Sequence, residues 1–262
     1  MSNEPVLLEK SGGVATVTLN RPDAANGIDL PTGQALMRAA IDCDEDPAVR
    51  AVVLTGAGKM FCAGGDLKSF AAFGDALPGK LKELTTNLHA ASSRFARMDA
   101  PLVCAVNGTA AGAGFSLAIS GDLVLLAESA KLTMAYTGVG LSPDGSSSWF
   151  LPRLVGLRRA QELMLTNRRL TSAEALEWGL VNEVVPDAEL LDKAQALASQ
   201  LASGATRAFG VVKQLLATSL QEGLETQLEL ESRGIAAMAA SADGREGIEA
   251  FLAKRPPKFR GA

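Results

Sequence analysis

Residues 103–121 read V-C-A-V-N-G-T-A-A-G-A-G-F-S-L-A-I-S-G, and the fold turns on them. An apolar strand over Leu102–Val106 passes through Asn107-Gly108 into a glycine-broken turn, Gly112-Ala113-Gly114. The chain then becomes helical through Phe115, Leu117, Ala118 and Ile119. Small residues at such a junction let backbone N–H groups approach a ligand, and the first turn of a helix carries partial positive charge. The junction can therefore hold an oxygen that bears negative charge. Taken alone, it reads first as a strand-to-helix turn that only packs, since glycine turns are common in α/β proteins.

A second stretch of the same character lies upstream. Residues 51–55, A-V-V-L-T, form a fully apolar strand of the kind buried inside a parallel sheet. It leads through Gly56-Ala57-Gly58 to Phe61-Cys62-Ala63-Gly64-Gly65-Asp66-Leu67, and a helix beginning near Asp66 aims the Gly65 N–H outward. Two such exits in consecutive strand–helix units can set two donors around one oxygen, which is what an oxyanion hole requires.

The remaining pattern frames these two exits. Residues 6–9 and Val14–Leu19 flank Ser11-Gly12-Gly13 as a hairpin. Asp29 and Pro31 mark a helix start, with Leu36, Met37, Ala40 and Ile41 on its apolar face. Residues 71–80 read as a mobile loop, followed by a helix over 81–97 that carries His89, the chain's one histidine. Leu123–Ala127 is a further strand, and 181–185 a last short one. Helices are expected over 150–155, 158–165, 172–178, Leu190–Ala202, 205–219, 223–240 and 246–253, with polar breaks at Ser203-Gly204 and Asp243-Gly244.

Composition narrows the function. Of 262 residues, 47% are hydrophobic and 21% charged, which suits a globular chain with a sizeable core. A formal net charge of −4 advertises no surface for nucleic acid or membrane. Cys43, Cys62 and Cys104 are odd in number and widely spaced, which fits a reducing cytoplasm and offers neither a zinc site nor a disulfide framework. Met1-Ser2-Asn3-Glu4-Pro5 lacks the charged-then-apolar pattern of an export signal. Gly74 to Lys80 has phosphate-loop spacing, but Leu81 stands where Ser or Thr must bind magnesium. At Gly140, Asp144 takes the last glycine of a hydrolase elbow. With one histidine, metal and Ser-His-Asp chemistries have little support.

Taken together, the motifs resemble those of the enoyl-CoA hydratase/isomerase (crotonase) family over nearly the whole chain. They are Arg21-Pro22 with Asn26, Phe61 through Leu67, Ala105-Val106-Asn107-Gly108 with Gly112-Ala113-Gly114, and Gly140-Leu141-Ser142-Pro143. Leu170-Thr171-Ser172-Ala173-Glu174-Ala175 with Gly179-Leu180-Val181, and Glu246-Gly247 with Phe251-Leu252-Ala253-Lys254-Arg255, extend the match. The resemblance implies an α/β fold: a crotonase-like spiral of ββα units over residues 1–200, closed by a helical trimerisation region over 201–262. It also implies an acyl-CoA thioester as substrate, with no separate cofactor and no metal, in a homotrimer or a dimer of trimers. Gly65 and Ala113 match the oxyanion-hole positions. Ala25, Ala63, Gly64, Asp66, Leu67 and Lys68 match the wall against which coenzyme A lies.

The departures from the family pattern bear on the chemistry. Hydratases of this family activate water with two glutamates, and Ser116 and Tyr136 occupy the matching positions here. Asp144, eight residues after Tyr136, falls where two subgroups keep their working carboxylate. In the isomerases of phenylacetyl-CoA breakdown it implies a proton shuttle that shifts a double bond. In 4-chlorobenzoyl-CoA dehalogenase it implies a nucleophile, with His89 as general base and Tyr136 in place of the indole partner. Hydration, or an acyl-CoA-binding scaffold that has lost its glutamates, are the remaining readings.

Overall fold

A computed structural model describes residues 4–262. Met1, Ser2 and Asn3, on which the reading for an export signal partly rests, lie outside the described residues. The hairpin forms as expected, from β1 (Val6–Ser11) and β2 (Val14–Leu19), paired antiparallel. β3 (Ala51–Gly56), β5 (Leu102–Val106), β7 (Leu123–Ala127) and β10 (Glu183–Val185) extend it in parallel. The resulting six-stranded sheet has the order β1-β2-β3-β5-β7-β10. Every residue of β3 and β5 is buried, so both faces of the sheet centre are covered, which explains the unbroken apolar reading of those strands.

A second sheet was not legible. β4 (Met60–Cys62), β6 (Thr109–Ala111), β8 (Lys131–Thr133) and β9 (Leu170–Thr171) form it in the order β4-β6-β8-β9. β4, β6 and β8 run parallel, and β9 closes the edge antiparallel. Each glycine exit thus has a short strand between the buried strand and the helix. From β3 the chain runs through β4 to α2 (Leu67–Ala72), and from β5 through β6 to α4 (Ala113–Ala118). Two or three residues are too few to show a period-two pattern, so these strands read as turn.

α1 (Leu30–Glu45) starts where Asp29 predicts, and the Asp29 carboxylate accepts the Thr32 N–H at 2.9 Å. Residues 71–80 are not a loop. α2 runs to Ala72, Gly74–Ala76 form a 3-10 turn, and α3 (Leu77–Arg97) begins four residues earlier than expected. Pro78 sits in the first turn of α3, where its missing N–H has no partner to lose, so the Pro-Gly pair opens a helix instead of breaking one. Leu77 and Leu81 pack on the core and anchor that first turn.

The helical end follows the sequence with one correction. Ser147–Thr166 (α5) is interrupted at Gly156, where φ is +79°, matching the two expected pieces. Thr171 and Glu174 form a reciprocal capping box on α6 (Ser172–Glu177). α7 (Leu190–Ala202) packs across β3 and β5, and α8 (Thr206–Thr218) and α9 (Leu224–Ala240) follow. The expected break at Asp243-Gly244 is instead the first turn of α10 (Ala242–Leu252). Ser241 caps this helix, and the buried Asp243 carboxylate accepts the N–H groups of Arg260 and Gly261 at 2.7 Å each. A polar pair that looked solvated is spent fastening the chain end. No helix among the described residues is long and apolar enough to cross a membrane.

One buried cation ties α8 to the sheet. Lys213 Nζ meets Asp122 Oδ2 at 2.8 Å and donates to the carbonyls of Phe95 (2.9 Å) and Ala100 (3.1 Å), with only 8% of its side chain exposed. Lys213→Met leaves three acceptors short of a donor, and is expected to lower stability by about 2–3 kcal/mol. Urea unfolding followed by circular dichroism checks this.

Candidate active site

The two glycine exits meet backbone to backbone. A Cβ on Gly64 would lie 2.8 Å from the Ala111 carbonyl oxygen and 3.4 Å from Ala113 N, and Gly64 has φ of +98°. A Cβ on Gly114 would lie 2.2 Å from the Cys62 carbonyl oxygen. Side chains have no room there, so glycine is what lets the turns interlock. Gly65 is bridged to Ile28 through its neighbours: Ile28 N–H donates to the Gly64 carbonyl at 2.7 Å, and Asp66 N–H to the Ile28 carbonyl at 3.0 Å. That register leaves the Gly65 N–H without a partner among the described residues. Ala113 is the first residue of α4, so its N–H is free of the helix ladder as well.

Polar side chains hold this frame. Arg21 forms ion pairs with Asp29 (3.1 Å) and Asp66 (2.9 Å) and donates to the Gly27 carbonyl, joining the residues that cap α1 and α2. The Asn26 amide accepts from Arg21 N–H at 2.9 Å and donates to the carbonyls of Ala57 (2.9 Å) and Met60 (2.7 Å). The Asn107 amide accepts from Gly56 N–H (3.1 Å) and donates to the Gly58 carbonyl (3.0 Å). Arg21, Asn26 and Asn107 were quoted from the sequence without a role; the structure gives each a structural one.

Both exits open into a cavity of about 310 Å³. Ala63, Gly64, Gly65, Leu67, Ala113, Tyr136 and Asp144 line it, so the structure brings these expected site residues together. Phe70, Leu84, Val139 and Leu141 supply apolar wall. Asp144 is the only carboxylate in the lining, and Lys82 the only cation. Lys82 and Thr85 gave no signal in the sequence, and Ser142 stood only as part of the Gly140–Pro143 motif, because the rotation of α3 and the course of the 137–146 segment set which side chains line the cavity. Ala25, Asp66, Lys68 and His89 do not line it. The Ala25 carbonyl accepts the Ala63 N–H at 2.9 Å. The Asp66 carboxylate caps α2, and Lys68 is exposed on that helix. Among the described residues no group of three or more His, Cys, Asp or Glu side chains is placed to hold a metal.

Asp144 sits in a small polar network. Tyr136 Oη donates to Asp144 Oδ1 at 2.6 Å, and Ser116 Oγ lies 3.0 Å from Tyr136 Oη and 2.9 Å from the Asp144 carbonyl oxygen. Burial pushes the Tyr136 hydroxyl far above its ordinary range, and the Asp144 charge adds to the rise. Tyr136 therefore remains a protonated donor at any working pH and is no base. The Ser116 hydroxyl is fully buried and committed to this network. His89 approaches from outside the cavity. Its Nε2 accepts the Gly145 N–H at 3.2 Å and stands 3.6 Å from Asp144 Oδ2. The carboxylate thus has one oxygen occupied by a hydroxyl and the other without a hydrogen-bond donor on it.

The chain is similar to known proteins along nearly its whole length. The model of the family described as enoyl-CoA hydratase/isomerase matches residues 9–262. The chain is 41% identical over 260 residues to the 1,2-epoxyphenylacetyl-CoA isomerase of Escherichia coli K12, covering 98% of this chain and 99% of that protein. It is also 41% identical over 261 residues to a probable enoyl-CoA hydratase of Rhodobacter capsulatus, covering all of both. Among solved structures, an enoyl-CoA hydratase from Polaromonas superposes with a TM-score of 0.92 at 34% identity, over 97% of this chain and 99% of that one.

Two stability predictions follow from the frame. Gly64→Ala combines a left-handed backbone with a close approach to the Ala111 carbonyl, and is expected to cost about 1–3 kcal/mol in chemical denaturation. Burial pushes the Asp66 carboxyl up, but the Ser69 N–H and Arg21 outweigh it and leave it below the ordinary carboxylate range. Its contribution to stability is therefore complete above about pH 4, where the unfolded carboxyl is ionised, and is lost as pH falls through the lower folded value. Asp66→Ala should flatten the acid limb of the stability curve, measured by urea titrations at a series of pH values.

Proposed function

The chain belongs to the enoyl-CoA hydratase/isomerase family, and within it we propose an isomerase that moves a double bond in an enoyl-CoA thioester with Asp144 as its one proton carrier. A single observation supports the reading above the others: Asp144 is the lone carboxylate in the lining of an apolar cavity, with Tyr136 donating to Oδ1 and no hydrogen-bond donor on Oδ2. Hydration by the family's paired glutamates needs a second carboxylate. Ser116 stands where one is expected, with its hydroxyl engaged by Tyr136 and Asp144. The dehalogenase-like reading needs a free imidazole base. His89 Nε2 accepts a backbone N–H, so that nitrogen carries no proton and its lone pair is taken.

Isomerisation proceeds as follows. The thioester carbonyl oxygen lies against the N–H groups of Gly65 and Ala113. Asp144 Oδ2 takes a proton from C2 of a 3-enoyl-CoA, the C–H electron pair moves into the conjugated system, and the carbonyl oxygen gains negative charge. The two N–H groups stabilise that dienolate, each such donor being worth roughly 3 kcal/mol of barrier. The carboxyl then returns the proton to C4, leaving the double bond at C2. Acid and base are one group, so one carboxylate suffices. Phe70, Leu84, Val139 and Leu141 suit an apolar acyl group.

Coenzyme A lies along Ala25, Ala63, Gly64, Asp66, Leu67 and Lys68, with the exposed Lys68 ammonium available to a phosphate. The protein works as a homotrimer or a dimer of trimers. Val212, Leu216, Leu220, Leu224, Leu228, Ile235, Phe251 and Leu252 on α8–α10 are each more than half exposed, an apolar surface suited to a neighbouring copy. Three buried free thiols fit the reducing cytoplasm.

The test is proton NMR of a 3-enoyl-CoA with the protein in heavy water. The wild type should move the double bond to C2 and incorporate deuterium at C2 or C4, with Asp144→Asn slower by about 10²–10⁴-fold. A wild type that neither shifts the bond nor exchanges protons overturns the reading.

A further inference from the structure

The peptide unit between Asp144 and Gly145 is held at both of its polar ends. Its carbonyl accepts from Ser147 Oγ at 2.9 Å and Ser147 N at 3.3 Å, and has Ser116 Oγ at 2.9 Å. Its N–H donates to His89 Nε2 at 3.2 Å. The carbonyl side draws on Ser147, only three residues along, and on Ser116 of α4. The N–H side has a single partner, which reaches across from α3.

This peptide needs such an anchor. Gly145 and Ser146 both have positive φ, +60° and +72°. The Ser146 value is uncommon for a residue with a Cβ and is costly unless neighbours enforce it. A Cβ on Gly145 would come within 2.9 Å of Ser116 Cβ, so the loop is pressed against α4 as well. Asp144 Cα lies in this peptide plane, so holding the plane holds the point from which the carboxylate side chain departs. A proton shuttle must reach two carbons of one substrate, and a misplacement of about 1 Å in such a group can cost 10²-fold in rate.

The imidazole is well suited to the task and poorly suited to proton transfer. A nitrogen that accepts an N–H is unprotonated, so neutral His89 carries its proton on Nδ1 and has no free lone pair. At 3.6 Å, with no proton on Nε2, the contact with Asp144 Oδ2 is not a hydrogen bond. Half of the side chain, 51%, is open to solvent, and His89 does not line the cavity. Its one directed bond goes to the backbone of the loop that carries the carboxylate.

The geometry points to His89 as a positioning residue that acts through the Gly145 N–H to fix the aim of the Asp144 carboxylate. The inference rests on the Asp144 isomerase reading for its catalytic consequence, while the contact itself can be measured without turnover. Because His89 lies half-exposed on the surface of α3, His89→Ala and His89→Gln both leave the core intact, and glutamine offers Oε1 to the same N–H.

The experiment compares wild type, His89→Ala and His89→Gln in two measurements: hydrogen exchange of the Gly145 amide, by NMR on glycine-labelled protein, and kcat and KM for a 3-enoyl-CoA. His89→Ala is expected to speed Gly145 exchange by about tenfold or more and to lower kcat by about tenfold with KM little changed, as for loss of one hydrogen bond that aims a reacting group. His89→Gln is expected to recover most of both. Gly145 exchange that ignores His89→Ala, or a kcat untouched by it in an active enzyme, overturns the inference. So does an equal loss of kcat in both variants, which would make the imidazole itself a proton carrier. A Gly145 amide that loses protection in His89→Ala, in a protein without isomerase turnover, keeps the contact and removes the isomerase reading instead.

Discussion

The structure depends on the close approach of two backbone turns. Gly64 sits against Ala111 and Ala113, and Gly114 sits against Cys62, at distances that exclude a Cβ. This contact joins β4 to β6 in the small sheet and brings Gly65 and Ala113, whose N–H groups have no hydrogen-bond partner among the described residues, into the lining of one cavity. Unpaired N–H groups are costly when buried and dry, so a site of this kind is tolerated because the cavity gives them water or a ligand to meet. The large sheet stabilises the arrangement from behind. β3 and β5 are fully buried, and each leads through one short strand to one of the two turns.

A frame of side-chain bonds to the backbone keeps the turns from drifting. Asn26 and Asn107 replace ladder bonds where the chain leaves β3, and Arg21 couples the caps of two helices. Part-buried ion pairs of this sort contribute less to net stability than to a unique geometry, since desolvation offsets much of the attraction. Backbone N–H groups cannot rotate apart from the chain, so this frame fixes where those of Gly65 and Ala113 stand.

The chemistry is narrowed by what surrounds a single carboxylate. Tyr136 and Ser116 set hydroxyls beside that carboxylate, and burial keeps the tyrosine protonated. Oδ1 of Asp144 thereby accepts the Tyr136 hydroxyl, while Oδ2 carries no hydrogen-bond donor. The same network, together with Ser147 and His89, anchors the peptide after Asp144 at both its carbonyl and its N–H end.

The sequence by itself determined the buried strands, the long helices and the two glycine exits. Residues 51–55 and 102–106 are apolar enough to be strands only where both faces are covered, and Asp29 can cap only the helix that follows it. Family motifs marked Gly65, Ala113, Tyr136 and Asp144, and all four line the cavity. Tertiary structure decided the rest. The short strands of the second sheet carry too few residues for a readable period and exist because β4, β6 and β8 find one another. Pro78-Gly79 and Asp243-Gly244 have the local chemistry of breaks, yet packing of Leu77 and Leu81, and the chain end folding onto Asp243, make each a helix start. His89 shows the division most clearly. Sequence placed it on a helix near the site, but only the rotation of α3 against the 144–146 loop gave its Nε2 a backbone N–H to accept, and a partner that distant in sequence leaves no local trace.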